Sequence, residues 1–350
     1  MTILLTDLHV SYIQKLGESK SDLAYHLSSH LRLNAVYWGF TALNILGRPE
    51  ALDRDEMIAF VMSCWDDEAG AFGAHPAHDA HLLSTLSAVQ ILLMQDALDR
   101  VDAPRVVKYI LGLQQPSGVF AGDAFGETDT RFLYCAMNAL SLLGRLDALE
   151  EPLPVNSQAD GGSNAVDTPV PQTRRERVLE YLSRCRNYDG GFGSVVGAES
   201  HAAQVFVCVA ALAILGRLDL ADVDTLAWWL SERQLPNGGL NGRPEKLEDV
   251  CYSFWVLSAL AILGKVPWID AQKLEEFILS AQDLEVGGIA DRPGNMVDVF
   301  HTHFGIAGLS ILGYPGLADL DPVYCMPAAL VERRGLRTGW VGLPRRSGGA

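Results

Sequence analysis

The segment GGLNGRPEKLEDVCYSFWVLSALAILG, residues 238–264, decides the fold, because it contains one complete unit of a pattern that recurs along the chain. It opens with a glycine-rich turn, continues into a long apolar run and ends at Leu263 and Gly264. Glycine directly after the last apolar residue is a helix C-cap signal, since it adopts the left-handed conformation without a Cβ penalty. The segment therefore predicts a turn followed by a buried helix.

The unit recurs at a regular spacing. The third residue of each glycine turn falls at 72, 120, 192, 240 and 289, so three of the four steps are 48 or 49 residues. The remaining step of 72 residues contains the proline- and glycine-rich stretch 150–175, and a loop insertion there of about 24 residues restores the period. Self-similarity at this period indicates an array of supersecondary units. The leucine-glycine stop recurs at Gly47, Gly144, Gly216 and Gly313, and Gln95 holds the equivalent place in the copy without the glycine.

Two kinds of helix alternate along the chain. Some predicted helices are apolar nearly all round, which is typical of a helix buried on most faces, whereas others carry charges on one side only. We therefore predict an all-α fold, an α/α toroid (α-α barrel) of about six helix hairpins, with the glycine turns gathered at one rim of a central cavity. The inner type is predicted at 202–215 and 253–263, and the outer type at 175–184, 223–233 and 270–281.

Composition restricts the class of protein. At 350 residues a continuous repeat favours one domain, predicted over residues 1–331, with 150–175 as a surface loop and the arginine-rich residues 332–350 as a flexible tail. A formal charge of −16 disfavours nucleic-acid binding. No run approaches the roughly 20 apolar residues that span a bilayer. The six cysteines lack paired spacing. We expect a cytoplasmic protein with reduced thiols and no integral membrane segment.

Three side chains with affinity for zinc are predicted to converge. Asp249 and Cys251 follow one glycine turn, and His301 follows the next, so all three lie at the rim ends of neighbouring inner helices. Structural zinc takes four protein ligands, whereas catalytic zinc takes three and keeps a position for substrate. The alternative interpretation is a helix cap beside a buried thiol. The repeat context favours a catalytic zinc site.

Cationic and polar side chains surround the same point. Arg243 and Lys246 lie upstream of the zinc candidates, His201 follows its own glycine turn, and Tyr252 adjoins Cys251. Arginine binds phosphate oxygens in bidentate fashion and lysine acts as a compact charge, so this set suits a diphosphate. The alternative for Arg243 and Lys246 is a solvated charge pair.

Apolar residues at the starts of the inner helices are candidates for a lipid site. Trp255 lies one helical turn after Cys251. Such a stripe is usually core, but in a toroid the helix starts face a cavity, where an aromatic wall would hold a polyene chain. The other members are Tyr37, Trp38, Leu86, Tyr134 and Phe300. Two weaker groups are interpreted as structural, namely His75, His78, Asp79 and His81 as turn residues and Asp222 with Asp224 as a helix start.

The sequence resembles the catalytic β-subunits of the protein prenyltransferases, most closely the Rab geranylgeranyltransferase (type II) branch. The resemblance runs over nearly the whole chain and is most specific at 238–246, 249–253, 291–294 and 300–302. It implies that Asp249, Cys251 and His301 bind zinc and that Arg243 and Lys246 act in catalysis. The substrate-binding set that it implies is His201, Ala202, Ala203, Arg243, Pro244, Glu245, Lys246, Tyr252, Ser253, Phe254, Trp255, Tyr37, Trp38, Leu86, Tyr134 and Phe300.

The resemblance also implies a function and partners. The expected reaction is transfer of geranylgeranyl from geranylgeranyl diphosphate to C-terminal cysteine thiols of Rab GTPases through a zinc-activated thiolate. An α-subunit would complete a heterodimer, and an escort protein would deliver the Rab substrate. Asp291 matches the position where farnesyltransferases have an aspartate linked to magnesium and type I enzymes have lysine, which disfavours type I and leaves magnesium open.

Several other interpretations remain open. A farnesyltransferase or type I geranylgeranyltransferase β-subunit is an alternative within the same family, and a non-catalytic α-solenoid scaffold would use zinc structurally. A terpene cyclase on this fold would need an Asp-x-Asp-Asp motif, which does not occur in the sequence. A glycoside hydrolase would need two carboxylates placed across a sugar and would have no use for Cys251.

Overall fold

The structure, a computed structural model, describes residues 3–18, 23–153 and 172–347. Most of the predicted insertion at 150–175 lies outside the described residues; at its two ends Pro152 and Thr173 form a β-bridge. The α-helices are α1 (Thr6–Glu18), α2 (Leu23–Leu27), α3 (Arg32–Ile45), α4 (Arg54–Ser63), α5 (Leu82–Met94), α6 (Ala103–Gly112), α7 (Thr130–Leu142), α8 (Arg174–Cys185), α9 (Ala202–Ile214), α10 (Val223–Ser231), α11 (Tyr252–Ile262), α12 (Ala271–Ser280), α13 (Val299–Ile311) and α14 (Ala328–Arg333).

Short elements complete the secondary structure. Strands β1 (Trp65–Asp66) and β2 (Ala71–Phe72) pair antiparallel, as do β3 (Leu320–Asp321) and β4 (Met326–Pro327). Single 3-10 turns follow most of the inner helices. They are Pro49–Ala51, Leu98–Arg100, Leu146–Glu150, Leu218–Leu220 and Val266–Trp268, and a further one, Ser29–Leu31, precedes α3.

The helices form two concentric layers. The inner layer consists of α3, α5, α7, α9, α11 and α13, each packed on the next, and α13 packs on α3 to close the ring. Most of their residues are buried, which explains why their sequences are largely apolar on every face. Helices α4, α6, α8, α10 and α12 lie outside and bury only one side. The predicted α/α toroid is confirmed.

The N-terminal helix α1 completes the outer layer. Buried His9 accepts a hydrogen bond at Nδ1 from the Gly288 N–H (2.9 Å) and contacts Gln282 Oε1 through Nε2 (2.9 Å). Ile13 of the same helix packs against Gly39 in α3. The first outer helix of the ring is therefore contributed by the start of the chain and seals the gap between α13 and α3.

The leucine-glycine stops end the inner helices as predicted, with one correction. Gly47, Gly144, Gly216, Gly264 and Gly313 all have φ between +67° and +70°. In the copy without glycine the left-handed residue is Asp96 (φ +51°), whereas Gln95 is the helix C-cap before it. Aspartate is among the few residues that tolerate this conformation, so Asp96 replaces the glycine.

Backbone hydrogen bonds gather the glycine turns at one rim. In four repeats the first or second residue of an inner helix donates its N–H to a turn carbonyl of the following repeat, and in the fifth the donor lies two residues before the helix. These bonds satisfy donors that a helix start leaves without an intrahelical partner. The pairs are Leu33 with Ala74, Leu82 with Gly122, Thr130 with Ser194, Ala202 with Gly242, and Val250 with Asp291, at 2.8 to 3.0 Å.

The C-terminal residues 336–347, which are part of the predicted tail 332–350, lie against the barrel. Val341 and Leu343 donate their N–H groups to the carbonyls of Ala261 and Ile311 (2.9 and 3.0 Å). The last carbonyls of a helix lack intrahelical partners, and here the ends of α11 and α13 find them in this segment. Its arginines pair with acidic groups of the barrel, Arg345 with Asp319 and Arg346 with Glu275.

The buried residues form a single core. One continuous core extends from Ile13 in α1 to Trp340 in the C-terminal segment. All six cysteines are buried and unpaired. Within the ranges that the structure describes, no helix has the length and apolarity needed to cross a bilayer.

Candidate active site

Asp249, Cys251 and His301 meet at the rim. Asp249 precedes α11, Cys251 is its N-cap, and His301 lies in the first turn of α13. One potential ligand atom from each side chain lies within 4.8 Å of the others. Over the described part of the chain, this is the one group of at least three acidic, cysteine or histidine side chains with that spacing, and no fourth joins it. The predicted convergence is therefore present.

Hydrogen bonds orient the three side chains toward one another. Asp249 Oδ1 lies 3.2 Å from His301 Nε2 and accepts the Cys251 N–H at 2.8 Å. Burial acts to raise the pKa of Asp249, but the bonds to His301 and Cys251 outweigh it, and the pKa is lowered. Burial, and then the Asp249 carboxylate, raise the pKa of the Cys251 thiol. A divalent cation would reverse this effect, because metal binding stabilises the thiolate.

Asp298 is a further candidate residue of this site, and the sequence did not single it out. Its Oδ1 accepts the His301 N–H (2.8 Å), which caps α13, and its Oδ2 lies 2.6 Å from His301 Nδ1. Burial acts to lower the pKa of His301, but the carboxylates of Asp249 and Asp298 raise it to about 9. A carboxylate on Nδ1 fixes the tautomer that leaves Nε2 for a metal. The signal was in the repeat, because 298 follows position 289 at the same distance as 249 follows 240.

His201 and Tyr252 form a polar pair beside the three potential ligands. His201 Nδ1 accepts the Ala203 N–H (3.2 Å), and Nε2 lies 3.2 Å from Tyr252 Oη. Burial, followed by the charge of Arg243, lowers the pKa of His201, so the ring is neutral near pH 7. A neutral ring that accepts at Nδ1 carries its proton on Nε2. The Tyr252 hydroxyl oxygen then accepts a hydrogen bond from His201 Nε2, and the Tyr252 O–H remains free to donate.

The loop from 241 to 248 carries both cations and begins next to this pair. A Cβ at Gly242 would collide with Tyr252 Oη and His201 Nε2, so only glycine lets the backbone pass there. Arg243 follows directly and pairs with Glu199. Lys246 is exposed, and its carbonyl accepts a bond from Asn241 Nδ2 (2.8 Å), which closes the loop on itself. Arg243 therefore lies beside His201 and Tyr252, and Lys246 lies three residues further along the same loop.

A continuous belt of aromatic rings lines the inner helices. The ring of Trp38 in α3 lies 5.0 Å from that of Phe300 in α13, measured between centroids. Phe300 in turn lies 4.6 Å from Phe304 of the same helix. Trp255 in α11 lies 4.5 Å from Phe304, and Phe300 is also in contact with His301. The belt continues through Phe206 in α9 to Tyr134 in α7, with centroid distances of 5.3 and 5.5 Å. Phe206 and Phe304 were absent from the predicted set, although alignment of the repeats places aromatic residues at these positions.

Comparison with known proteins identifies the family of this chain. The model of the prenyltransferase alpha-alpha toroid domain matches residues 4–326. The chain belongs to the prenyltransferase α-α toroid family. The β-subunit of geranylgeranyl transferase type-2 from Saccharomyces cerevisiae is 52% identical over 336 residues, covering 94% of this chain and 96% of that protein. The type-2 β-subunit 1 from Arabidopsis thaliana is 46% identical, covering 95% and 96%.

The fold of this prenyltransferase also matches a solved structure. Candida albicans protein geranylgeranyltransferase-I complexed with GGPP matches with a TM-score of 0.78 over 94% of this chain and 97% of that chain. At 20% sequence identity this match supports the fold alone. The resemblance of the sequence to prenyltransferase β-subunits is confirmed, as is the all-α toroid predicted from the repeat.

Several predicted substrate contacts in this prenyltransferase are buried in helix packing. Ala202 is fully buried, and Ser253 packs against Gly308 of α13. Phe254 is fully buried between Phe206 and Phe304. These placements give the side chains a role in fixing the inner wall. The remaining predicted contacts are Ala203, which is partly exposed, Pro244 and Glu245, which are exposed on the loop, and Leu86, which is 6% exposed in α5.

The other acidic and histidine candidates lie apart from the three ligands. The Asp291 carboxylate is held by Arg292 (3.1 Å) and by Asn295 Nδ2 (2.9 Å). His81 caps α5 by accepting the Leu83 N–H, as His201 caps α9, which supports its interpretation as a turn residue. Asp222 accepts the Thr225 N–H at the start of α10 and is the predicted cap.

Proposed function

We propose that this chain is the catalytic β-subunit of a Rab geranylgeranyltransferase, acting in the cytoplasm. It would transfer geranylgeranyl from geranylgeranyl diphosphate to C-terminal cysteine thiols of Rab GTPases. The observation that carries the proposal is the set of three potential ligands, Asp249, Cys251 and His301, directly beside the His201 and Tyr252 pair. The names of the type-2 relatives, each matched over nearly its whole length, favour this branch over farnesyltransferases and type I enzymes.

The side chains at the rim suit zinc. Carboxylate, thiolate and imidazole are all zinc ligands, and three of them within 4.8 Å match a site that keeps one position for substrate. Asp298 supplies the outer carboxylate that histidine ligands of zinc commonly have. When bound, zinc would hold the incoming cysteine sulfur and lower its pKa, so that a thiolate exists at neutral pH. The scaffold interpretation, with zinc as a structural ion, fits less well because it needs a fourth ligand.

The polar residues beside the zinc candidates would stabilise the leaving group. The cysteine sulfur attacks C1 of the lipid, the C–O bond breaks, and its electron pair leaves with the diphosphate. The O–H of Tyr252, left free by the bond from His201, can donate to an oxygen of the diphosphate as its negative charge grows. Arg243 and Lys246 add positive charge from the loop above. The sulfur proton passes to solvent.

The interior of the ring would hold the lipid, and other proteins would supply the substrate. The aromatic belt includes Phe300, whose ring contacts His301, so a chain whose C1 lies at the metal can extend along it. We propose an α-subunit as partner in a heterodimer and an escort protein that presents the Rab GTPase. Magnesium at Asp291 remains a weaker proposal, since its carboxylate is engaged by Arg292 and Asn295.

A transfer assay tests the proposal. The chain would be co-expressed with its α-subunit and incubated with labelled geranylgeranyl diphosphate, an escort protein and a Rab GTPase that ends in two cysteines. We expect label on the Rab, less label from farnesyl diphosphate, and none when both Rab cysteines are changed to serine. Zinc-loaded heterodimer that transfers neither lipid would contradict the proposal and favour the scaffold. Preferential use of farnesyl diphosphate would favour a farnesyltransferase.

A further inference from the structure

A tightly bonded turn carries Glu199 at the rim. Glu199 lies at the end of the turn that precedes α9. Asn187 Nδ2 donates to the Ala198 carbonyl and to Ser200 Oγ, both at 2.9 Å. Ser200 is 1% exposed and donates its O–H to Asp189 Oδ1 (2.7 Å). Both chain neighbours of Glu199 are thus held by hydrogen bonds, so the position of its backbone is fixed.

The backbone before Arg243 is also fixed, in the next repeat along the chain. The Gly242 carbonyl accepts the Ala202 N–H (2.8 Å), and the glycine itself lies against Tyr252 Oη and His201 Nε2. Arg243 follows directly, but its side chain is long and 39% exposed. Such a side chain keeps its rotamer freedom until something orders it. The fixed backbone therefore leaves the guanidinium mobile unless another group holds it.

Glu199 is the group that holds this guanidinium. Its Oε2 pairs with Arg243 Nη1, so the contact joins the turns of two successive repeats. Over the ranges that the structure describes, the guanidinium has no other hydrogen-bond or ion-pair partner. An arginine carries N–H donors on Nε and on both Nη atoms. Because Glu199 takes only Nη1, the donors on Nε and Nη2 remain available.

The ion pair of Glu199 and Arg243 lies near His201 and Tyr252. Burial has the largest effect on the pKa of His201 and lowers it, the charge of Arg243 lowers it further, and the Glu199 carboxylate acts to raise it. The pKa of Tyr252 is raised, chiefly by burial, whereas the charge of Arg243 acts to lower it. Both charges are therefore close to the polar pair at which the diphosphate is proposed to bind.

We infer that Glu199 is a positioning residue that holds the Arg243 guanidinium beside His201 with Nε and Nη2 left to bind the diphosphate, a role that rests on the proposed function. Because Arg243 is held before the substrate arrives, less side-chain freedom is lost on binding. Glu199 also brings a negative charge, which repels the diphosphate. These two effects oppose each other, so a test must separate the bond to Arg243 from the charge.

Two substitutions of Glu199 make this separation in the heterodimer. Glu199→Gln removes the charge but keeps a side-chain oxygen that can accept from Arg243, whereas Glu199→Ala removes both. We expect the Ala variant to bind geranylgeranyl diphosphate about two- to tenfold more weakly than the Gln variant, the effect of ordering one long side chain on binding. The lost charge is common to both variants and cancels in this ratio.

The rate of transfer provides a second measurement on the same variants. The single-turnover rate at saturating substrate should be equal in the Gln and Ala variants, because Arg243 is ordered in both once the diphosphate is bound. Their melting temperatures should match that of the wild type, since an exposed ion pair contributes little to stability. A role of Glu199 in folding would lower the melting temperature instead, and that result would overturn the inference.

A third substitution tests whether the effect passes through Arg243. In an Arg243→Ala background, Glu199→Gln and Glu199→Ala should bind geranylgeranyl diphosphate equally, because no guanidinium is left to hold. Glu180→Gln and Glu180→Ala are matched controls, since Glu180 is an exposed carboxylate that pairs with Arg177 (3.6 Å) on the outer helix α8. Both controls should bind the substrate as the wild type does.

The outcomes distinguish this inference from the proposed function. Equal affinity of Glu199→Gln and Glu199→Ala, whether weaker or tighter than wild type, would show that only the charge matters and would overturn the inference. A difference that persists in the Arg243→Ala background would overturn it as well. Wild-type heterodimer that does not bind geranylgeranyl diphosphate, or Arg243→Ala that binds it as tightly as wild type, would overturn the proposed diphosphate site and, with it, the role of Glu199.

Discussion

Replacing Asp298 by asparagine separates its two roles. Asparagine caps helices as well as aspartate, so the bond from its side-chain oxygen to the His301 N–H is retained. The amide nitrogen then faces His301 Nδ1 in place of the carboxylate. That nitrogen can only donate, so His301 must accept at Nδ1 and carry its proton on Nε2, the atom that faces Asp249 and the proposed metal. We therefore expect Asp298→Asn to weaken zinc binding without unfolding α13.

The expected loss of zinc affinity depends on how far the Asp298 side chain is exposed to water. Loss of an outer carboxylate on a histidine ligand typically costs about 10–100-fold in metal affinity. The Asp298 side chain is 47% exposed, so water can replace part of its interaction. We therefore expect a loss of about tenfold, or about 1.4 kcal/mol of zinc binding free energy. Asp298→Ala should show the same loss of zinc affinity and lose a further ~1 kcal/mol of folding stability with the cap.

Competition against a zinc chelator of known affinity measures this difference. Asp270→Asn is the matched control, because Asp270 caps α12 by accepting the Lys273 N–H and its side chain is 48% exposed. The control should change neither zinc affinity nor thermal stability. Wild-type zinc affinity in Asp298→Asn would refute the reasoning, since it would mean that the carboxylate does not determine the tautomer of His301.

Three further predictions concern single side chains. Cys251→Ala should lose zinc, by metal analysis of the purified heterodimer, with an unchanged far-UV circular dichroism spectrum; full zinc content in this variant would remove the central assignment. Lys246→Ala should keep zinc but slow single-turnover transfer by ~10²–10³, as for loss of one donor to a developing anion, and the exposed Lys273→Ala serves as its control. His9 joins α1 to the ring, and burial lowers its pKa below the ordinary 6.5. The stability it contributes is present above the unfolded pKa and is lost as pH falls, so wild type should lose more thermal stability than His9→Gln from about pH 7 to about pH 5. Equal losses in the two proteins would contradict this role.

The repeat in the sequence was sufficient to predict the toroid. Regular spacing of the glycine turns gave the number of hairpins, and the contrast between all-apolar and one-sided helices gave the two layers. Helix ends were accurate to one or two residues where glycine or aspartate marked them, as at α9 and α12. The convergence of Asp249, Cys251 and His301 followed from the same repeat, because the starts of neighbouring inner helices must lie at the same rim.

Comparison of equivalent positions in the repeats would have identified one more residue of the candidate site, Asp298. Positions 81, 129, 201, 249 and 298 each lie nine residues after the third residue of their turn. In the structure four of these residues cap an inner helix, whereas Asp249 bonds the Cys251 N–H just before α11. Asp298 is therefore the counterpart of Asp249, and His301 lies beyond that position. The residues assigned to substrate from a motif alone stay predictions, because a motif does not say which face of a helix a side chain occupies; Ser253, for example, packs against Gly308 of α13.

The sequence by itself determined the helices, their order and the rim at which the reactive side chains meet, since these depend on local periodicity and on residues that start or stop a helix. Only the tertiary structure decided that α1 joins the outer layer through His9 and Gln282. It also decided that Trp340 and Asp321 hold the C-terminal segment and that residues 322–325 enter the interior. Those contacts join parts of the chain that share no periodic pattern. They form because buried donors and carbonyls left at helix ends must find partners, and which partners are within reach depends on the folded shape.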